Sequence, residues 1–335
     1  MQTSVFLGVS LAVVATLGWS LSFIAPYVTG EYSLFDGLAV RYLMAGVLGG
    51  IGMILYRAQL RHLALRQVWI AAGLGAAGCL GYGACIAVGV AFGGPVLTPT
   101  FVSMVPVLLA LLGNARNKTL PWRRLAIPLG FLTTVLLLSN LSSLHHASTG
   151  SGEWLLGVLF SAGAMVLWVG FSVINQKHML ALAPSATGVW TAIMLTGSGV
   201  TTLCLVPLAQ MLGLFKLPTL GFGFAQAGPL YAWCLFIALM STLIGAWAWN
   251  AATQRLPMVL SSQLIALESL FASLLGLLFN ARWPTPLEAT GLSAVLIGVV
   301  VAVRIILTAR QPASTLCTLG GNPVVIERRA ADKTV

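Results

Sequence analysis

Two stretches of this chain say nearly the same thing. Gly8-Val9 is followed by Trp19, eleven residues beyond the glycine, and Gly157-Val158 is followed by Trp168 at the same spacing. Adding 162 to Pro95 and Pro106 lands on Pro257 and Glu268. The surroundings match in kind: Val105-Pro106-Val107-Leu108-Leu109-Ala110 against Leu267-Glu268-Ser269-Leu270-Phe271-Ala272. Two apolar repeats of about 150 residues describe a membrane protein built by duplication, an arrangement common among transport proteins.

Composition agrees. The chain is 58% hydrophobic and 7% charged, against about 25% charged in an ordinary soluble domain. A soluble core cannot absorb that much apolar surface without exposing large patches, so the bilayer is the expected solvent. Runs of about 20 apolar residues mark helical spans. Ten are predicted, at 5–28, 36–56, 67–91, 95–113, 124–141, 153–174, 187–209, 229–252, 257–279 and 286–307. Gly93, Gly94 and Pro95 predict a turn between the third and fourth. The two-residue alternation of a closed barrel is absent from the sequence, which leaves helices.

Charge fixes the expected orientation. Arg57, Arg61, Arg66, Arg116, Lys118, Arg123, Arg124, Lys177, Arg255, Arg304, Arg310, Arg328, Arg329 and Lys333 fall on one side of a ten-span layout, fourteen of the seventeen basic residues. Lys216 and Arg282 fall on the other side and Arg41 within the second span, while Glu31, Asp36, Glu153 and Glu288 cluster at the outer ends. The positive-inside rule then predicts both termini in the cytoplasm. The net charge of +10 is an orientation signal and calls for no nucleic-acid partner. Met1-Gln2-Thr3-Ser4 lacks the basic start of a signal peptide, and the first span matches the sixth, so it is read as retained.

Five spans per repeat is an odd number, so the second copy enters the membrane from the opposite side. The expected fold is all-α: ten helices in two inverted five-helix repeats, 1–147 and 148–308, followed by a flexible cytoplasmic tail at 309–335.

Gly8 with Trp19-Ser20, Arg41-Tyr42, Ser103-Met104-Val105-Pro106-Val107, Trp168, and Gly291 with Ile297-Gly298-Val299 occur in an order and spacing that resembles the drug/metabolite transporter superfamily, in its EamA-type branch, over nearly all of residues 4–308. The resemblance implies ten helices, inverted halves and a central cavity lined by spans one, three, four, six, eight and nine. It implies transport of small metabolites in or out of the cell, and a place in a bacterial cytoplasmic membrane.

One position departs from that pattern. Where EamA-type chains often repeat a proline in span nine, this chain has Glu268-Ser269. A charge at a helix centre costs about 2.5–3.5 kcal/mol on insertion scales, so Glu268 is the proton-coupling candidate; the alternative is structural glue, a carboxyl hydrogen-bonded to a neighbouring helix. Ser262, Ala266, Ser269, Ala272, Ser273 and Gly276 form a small-residue face beside it, suited to close helix packing.

Arg41 lies about one and a half turns inside its span, with a gating or structural role expected, as for Pro106. Asp36 is too far round the helix to pair with it. The substrate-cavity candidates are Trp19, Tyr82, Trp168, Trp247, Trp249, Asn250 and Gln263, with Asn175 secondary; the alternative for the aromatics is packing bulk. Trp69, Trp122, Trp154, Trp190, Trp233 and Trp283 sit at span ends as expected interfacial anchors.

Other chemistry is poorly supported. His62, His145, His146 and His178 are expected in loops, five cysteines give no metal or disulfide spacing, and no phosphate-binding GxxxxGK[ST] loop occurs. Neither cofactor nor metal is expected. The sequence therefore reads as a secondary transporter, an exporter of amino acids or similar metabolites coupled to protons. The alternatives are a broad efflux pump for aromatic or cationic drugs and, in another class, a membrane-embedded enzyme using Glu268 as acid or base.

Overall fold

The computed structural model describes residues 2–24, 28–117 and 151–279, with isolated positions at 126 and 130 and others between 281 and 325. The fifth predicted span, the loop that follows it, and much of the tenth span lie outside the described residues, as does Trp122. The described residues are almost entirely helical: α1 (Gln2–Ser20), α2 (Leu34–Leu55), α3 (Leu65–Leu74), α4 (Tyr82–Ser103), α5 (Val105–Asn117), α6 (Ser151–Ala181), α7 (Thr187–Met211), α8 (Phe224–Ile237), α9 (Ala246–Thr253) and α10 (Met258–Phe279). Six stretches are long and apolar enough to cross a membrane: 34–55, 65–89, 154–181, 184–211, 224–253 and 258–279. Ser4–Ser20 and Val105–Ala115 are shorter apolar helices. In the tail, read from sequence as flexible, Leu316–Leu319 pairs antiparallel with Asn322–Val325.

Local chemistry sets the helix ends. Ser33 caps α2: its Oγ accepts from Asp36 N (3.0 Å), and the Asp36 carboxylate accepts from Ser33 N (2.9 Å). This capping box is legible as Ser33-x-x-Asp36, with aspartate in place of the usual glutamate. Buried Asp36 also accepts the backbone N–H groups of Lys216 (3.0 Å) and Leu217 (3.1 Å), tying the link after α7 to the start of α2. At the other end of that link's helix, Leu214 N reaches back to Ala209 O and Gly213 N to Gln210 O. Gly213 has φ of +67°, a left-handed cap that glycine adopts without the penalty of a Cβ.

The stretch from Tyr82 to Ser103 is helical. Yet a methyl group added at Gly89 would lie 2.6 Å from Thr98 Oγ1. In a straight helix those residues would be about 13.5 Å apart. The chain therefore doubles back between them, where Gly93-Gly94-Pro95 predicts a turn.

Two stretches leave α-helical geometry. Gly75–Gly81, between α3 and α4, and Ala238–Gly245, between α8 and α9, are π-helical. They occupy the third and eighth predicted spans, and Cys79 plus the repeat offset of 162 is Ser241. Such segments widen a helix and release carbonyls from its ladder, and they concentrate at functional sites.

Small residues set the closest helix contacts. α2 crosses α7 at Gly46 and Gly199, where a methyl on either would lie 2.7 or 2.5 Å from the other's Cα. Gly75 abuts the Met194 carbonyl, and Gly197 abuts the backbone of Ala72. Without water to drive association, such backbone approach is how apolar helices gain packing. Phe6, Leu55, Trp69, Met211 and Phe224 are exposed around the outside, a surface suited to lipid.

Trp190 and His178 correct two expectations. Trp190 is buried, not an interfacial anchor; its indole N–H donates to Asn175 Oδ1 at 2.9 Å and its ring stacks on His178. His178 lies within α6 instead of a loop. A buried indole persists where its N–H finds an acceptor, which span position alone does not reveal.

Candidate functional site: a central cavity

A cavity of about 610 Å³ lies between the helices of both halves. Val28, Thr29, Leu34, Leu230 and Trp233 line it at the end of the bundle that carries residues 28–34. Its deep wall is aromatic. Trp19 meets Trp168 edge-on at 5.1 Å and Trp249 at 5.2 Å; Tyr82 stacks on Trp168 at 4.7 Å. Of the residues singled out from sequence, Trp19, Arg41, Tyr82, Pro106, Trp168, Trp249 and Glu268 all line this one space.

The other candidates do not. Trp247 is 43% exposed on the outside of the bundle. Asn250 and Asn175 are fully buried beyond the aromatic wall, in a closed polar network. Asn175 Nδ2 donates to Asn250 Oδ1 (2.8 Å), and Asn250 Nδ2 donates to Thr191 Oγ1 (2.9 Å). Nearer the end of the bundle, Gln176 Nε2 donates to Leu256 O (2.9 Å) and Gln254 Nε2 to Met179 O (3.2 Å). Together these bonds fasten α6 to α7, α9 and the link before α10. Gln263 is buried, and its Nε2 has no hydrogen-bond partner among the described residues.

Arg41 and Glu268 stand in opposite halves of the sequence and face the same space. α10 runs uninterrupted through Glu268, whereas its counterpart Pro106 sits at the second residue of α5, just after the helix breaks at Met104. Proline is tolerated in the first turn because its missing N–H has no intrahelical acceptor there. Ala266, Ala272, Ser273 and Gly276 line the cavity, and an added methyl at Gly276 would meet nothing within 4 Å. This part of the small-residue face makes room for the cavity where helix packing was expected.

Arg41 is held by hydroxyls. Its Nε donates to Thr242 Oγ1 (2.8 Å), Nη1 to Ser22 Oγ (2.9 Å) and Nη2 to Ser241 Oγ (3.0 Å). Beside it, the Tyr42 hydroxyl donates to the Cys79 carbonyl at 2.8 Å. Ser22, Ser241 and Thr242 carry no signal in the sequence of their own. Only the repeat offset, which maps Cys79-Leu80 onto Ser241-Thr242, marks the latter two, and nothing marks Ser22.

The sequence profile of the EamA-like transporter family matches residues 155–304. Residues 155–304 are thus similar to an EamA-family domain. Inner membrane protein YtfF of Escherichia coli (strain K12) is 28% identical over 308 residues, covering 89% of this chain and 95% of that protein. A solved crystal structure, 17% identical, superposes with a TM-score of 0.64 over 90% of this chain and 98% of its own. The fold is thus shared over 90% of this chain, well beyond the segment the family profile covers.

Proposed function

We propose that this chain is a secondary membrane transporter with ten spans in two inverted five-helix repeats, exporting amino acids or similar small metabolites in exchange for protons. The observation that carries the reading is the cavity. A space of about 610 Å³ is within the range of small-molecule sites; we read it as open toward the end that carries residues 28–34 and closed on the side of the Asn175–Asn250 network. A site open to one side at a time is what alternating access requires.

Three contacts favour inverted repeats. Trp19 meets its counterpart Trp168, α2 meets α7 at their mid-helix glycines, and α5 packs on α10. Elements that touch their own equivalents lie at a two-fold axis. With the termini cytoplasmic, the open end faces outward.

Glu268 is the proposed proton carrier. Among the described residues it has no hydrogen-bond partner, as a structural carboxyl would need. Arg41, Tyr42, Tyr82, Cys79 and Cys234 are the other ionisable groups of the cavity. Reconstituted protein should accumulate or release labelled amino acids when a pH gradient is imposed. Chemical conversion of a solute or lipid without net flux would instead favour the enzyme reading, and flux restricted to aromatic cations the efflux-pump reading.

A further inference from the structure

We propose that Arg41, Ser22, Ser241 and Thr242 form a subsite for the carboxylate of the transported solute, an inference that rests on the cavity being the transport site. A guanidinium stays charged at every physiological pH, so one placed inside a membrane protein needs a counter-charge or a ligand that supplies one. Here its side-chain hydrogen bonds among the described residues go to three neutral hydroxyl oxygens, and the guanidinium lies 5.2 Å from the centre of the Tyr42 ring, so no contact supplies a full negative charge. Glu268 shares the cavity but forms no ion pair with Arg41.

The hydroxyls are arranged unusually. Thr16, Thr191, Thr196, Thr201 and Thr202 each donate to a carbonyl of their own helix, the ordinary fate of such groups in an apolar span. Ser22, Ser241 and Thr242 instead turn to Arg41, and Ser22 bonds Ser241 at 3.1 Å. They hold the guanidinium fork in one orientation. Two of its five N–H donors remain, together with hydroxyl protons left free by accepting from Arg41. The planar fork with adjacent O–H donors matches a carboxylate better than a point charge would. Ser241 and Thr242 lie within the π-helical segment Ala238–Gly245 and line the cavity. The aromatic wall formed by Trp19, Trp168 and Trp249 lies in the same cavity, available to an apolar portion of the solute. The buried Trp249 Nε1 has no hydrogen-bond partner among the described residues.

The test is tryptophan fluorescence of the purified full chain in detergent, titrated with two acid–amide pairs. These are 3-phenylpropionate with 3-phenylpropionamide, and L-phenylalanine with L-phenylalaninamide. The acids should bind at least about ten-fold more tightly than the amides, the scale of a charge-assisted pair of hydrogen bonds. Arg41→Gln should erase that preference while leaving amide binding unchanged, which also shows that the variant is folded. If Arg41→Gln does not fold, Thr242→Val with Ser241→Ala should weaken the acids alone. Equal binding of acids and amides, or a preference that survives these changes, overturns the subsite. Counterflow in proteoliposomes separates the two readings. Failure of the acids to bind while amides or other solutes are carried sinks the subsite and leaves transport standing. No binding and no flux of any of the four sinks both.

Discussion

Arg41 and Tyr42 are neighbours on one helix, yet they brace the two π-helical segments of the protein, one in each half. Tyr42 donates to the Cys79 carbonyl in the first, and Arg41 donates to Ser241 and Thr242 in the second. Consecutive residues on a helix point about 100° apart, so a single helix wedged between the segments reaches both. A shift of α2 is thereby felt on both sides of the cavity.

Removing the Tyr42 hydroxyl tests this coupling. Tyr42→Phe leaves the ring but strips the Cys79 carbonyl of its donor, at a cost of about 1–3 kcal/mol for a buried acceptor left unpaired. Thermal unfolding in detergent should show a lower midpoint than the parent, and transport should slow. An unchanged midpoint would mean that the carbonyl finds another donor and that the brace is dispensable.

Much of this fold is legible in the sequence, for physical reasons. Apolar runs and loop charges depend on composition alone, so the helices at 34–55, 65–89, 154–181, 184–211, 224–253 and 258–279 each overlap a predicted span, with bounds that differ by up to seven residues. Seven site residues were similarly visible because depth in a span and repeat equivalence are one-dimensional properties. Azimuth is not. Trp247 and Trp249 are two residues apart, yet one faces outward and the other lines the cavity. Asn250 and Trp190 are polar or amphipathic groups whose partners lie far along the chain, and only their meeting decides whether they face a cavity, lipid or each other. The π-helical segments leave no mark in local composition at all.

The glycine crossing of α2 and α7 should resist enlargement. Gly46→Ala or Gly199→Ala sets a methyl against backbone that cannot rotate away, and overpacking of this kind costs about 1–3 kcal/mol. Gly50 lies on the same helix with nothing within 4 Å of an added methyl. Gly50→Ala should be neutral or stabilising, since alanine is the better helix former by up to about 1 kcal/mol. Comparable midpoints for all three variants would remove the crossing as a determinant of packing.

The deep tryptophans should matter to transport out of proportion to stability. Trp19→Ala and Trp168→Ala open the aromatic wall, whereas Trp69→Ala and Trp283→Ala alter side chains exposed on the outside. Flux per folded molecule should fall at least about ten-fold for the first pair, if stacking is worth the roughly 0.5–1.5 kcal/mol of an aromatic contact for each of two rings or more. The second pair should stay near the parent. Equal losses from all four would reduce the inner rings to packing bulk.

Orientation is checked by labelling. In a cysteine-free background, cysteines at Ser148 and Ala313 should react with an impermeant thiol reagent from opposite sides of the membrane, and a cysteine at Leu230, on the cavity lining, from the same side as Ser148. Fourteen basic residues on one side of the ten-span layout motivate this expectation. Labelling of Ser148 and Ala313 from one side would break the odd-span inversion on which the two-fold arrangement depends.

Glu268 carries the sharpest prediction. The carboxyl lies midway along α10, faces the cavity with Arg41, Tyr42 and Tyr82, and has no hydrogen-bond partner among the described residues. Glu268→Gln keeps the shape and the hydrogen-bonding capacity of the side chain but can neither gain nor lose a proton. Substrate exchange between equal solutions should persist, because it needs only the cavity and the change of access. Accumulation against a gradient should vanish, because no group in the variant then carries protons in the opposite direction. A structural carboxyl gives the reverse pattern: glutamine, able to make the same bonds, would transport normally, while Glu268→Ala would lower the unfolding midpoint. The measurement is uptake by proteoliposomes with and without an imposed pH difference, beside equal-solution exchange. Gradient-driven accumulation by the glutamine variant at the parent's level would show that Glu268 does not couple transport to protons.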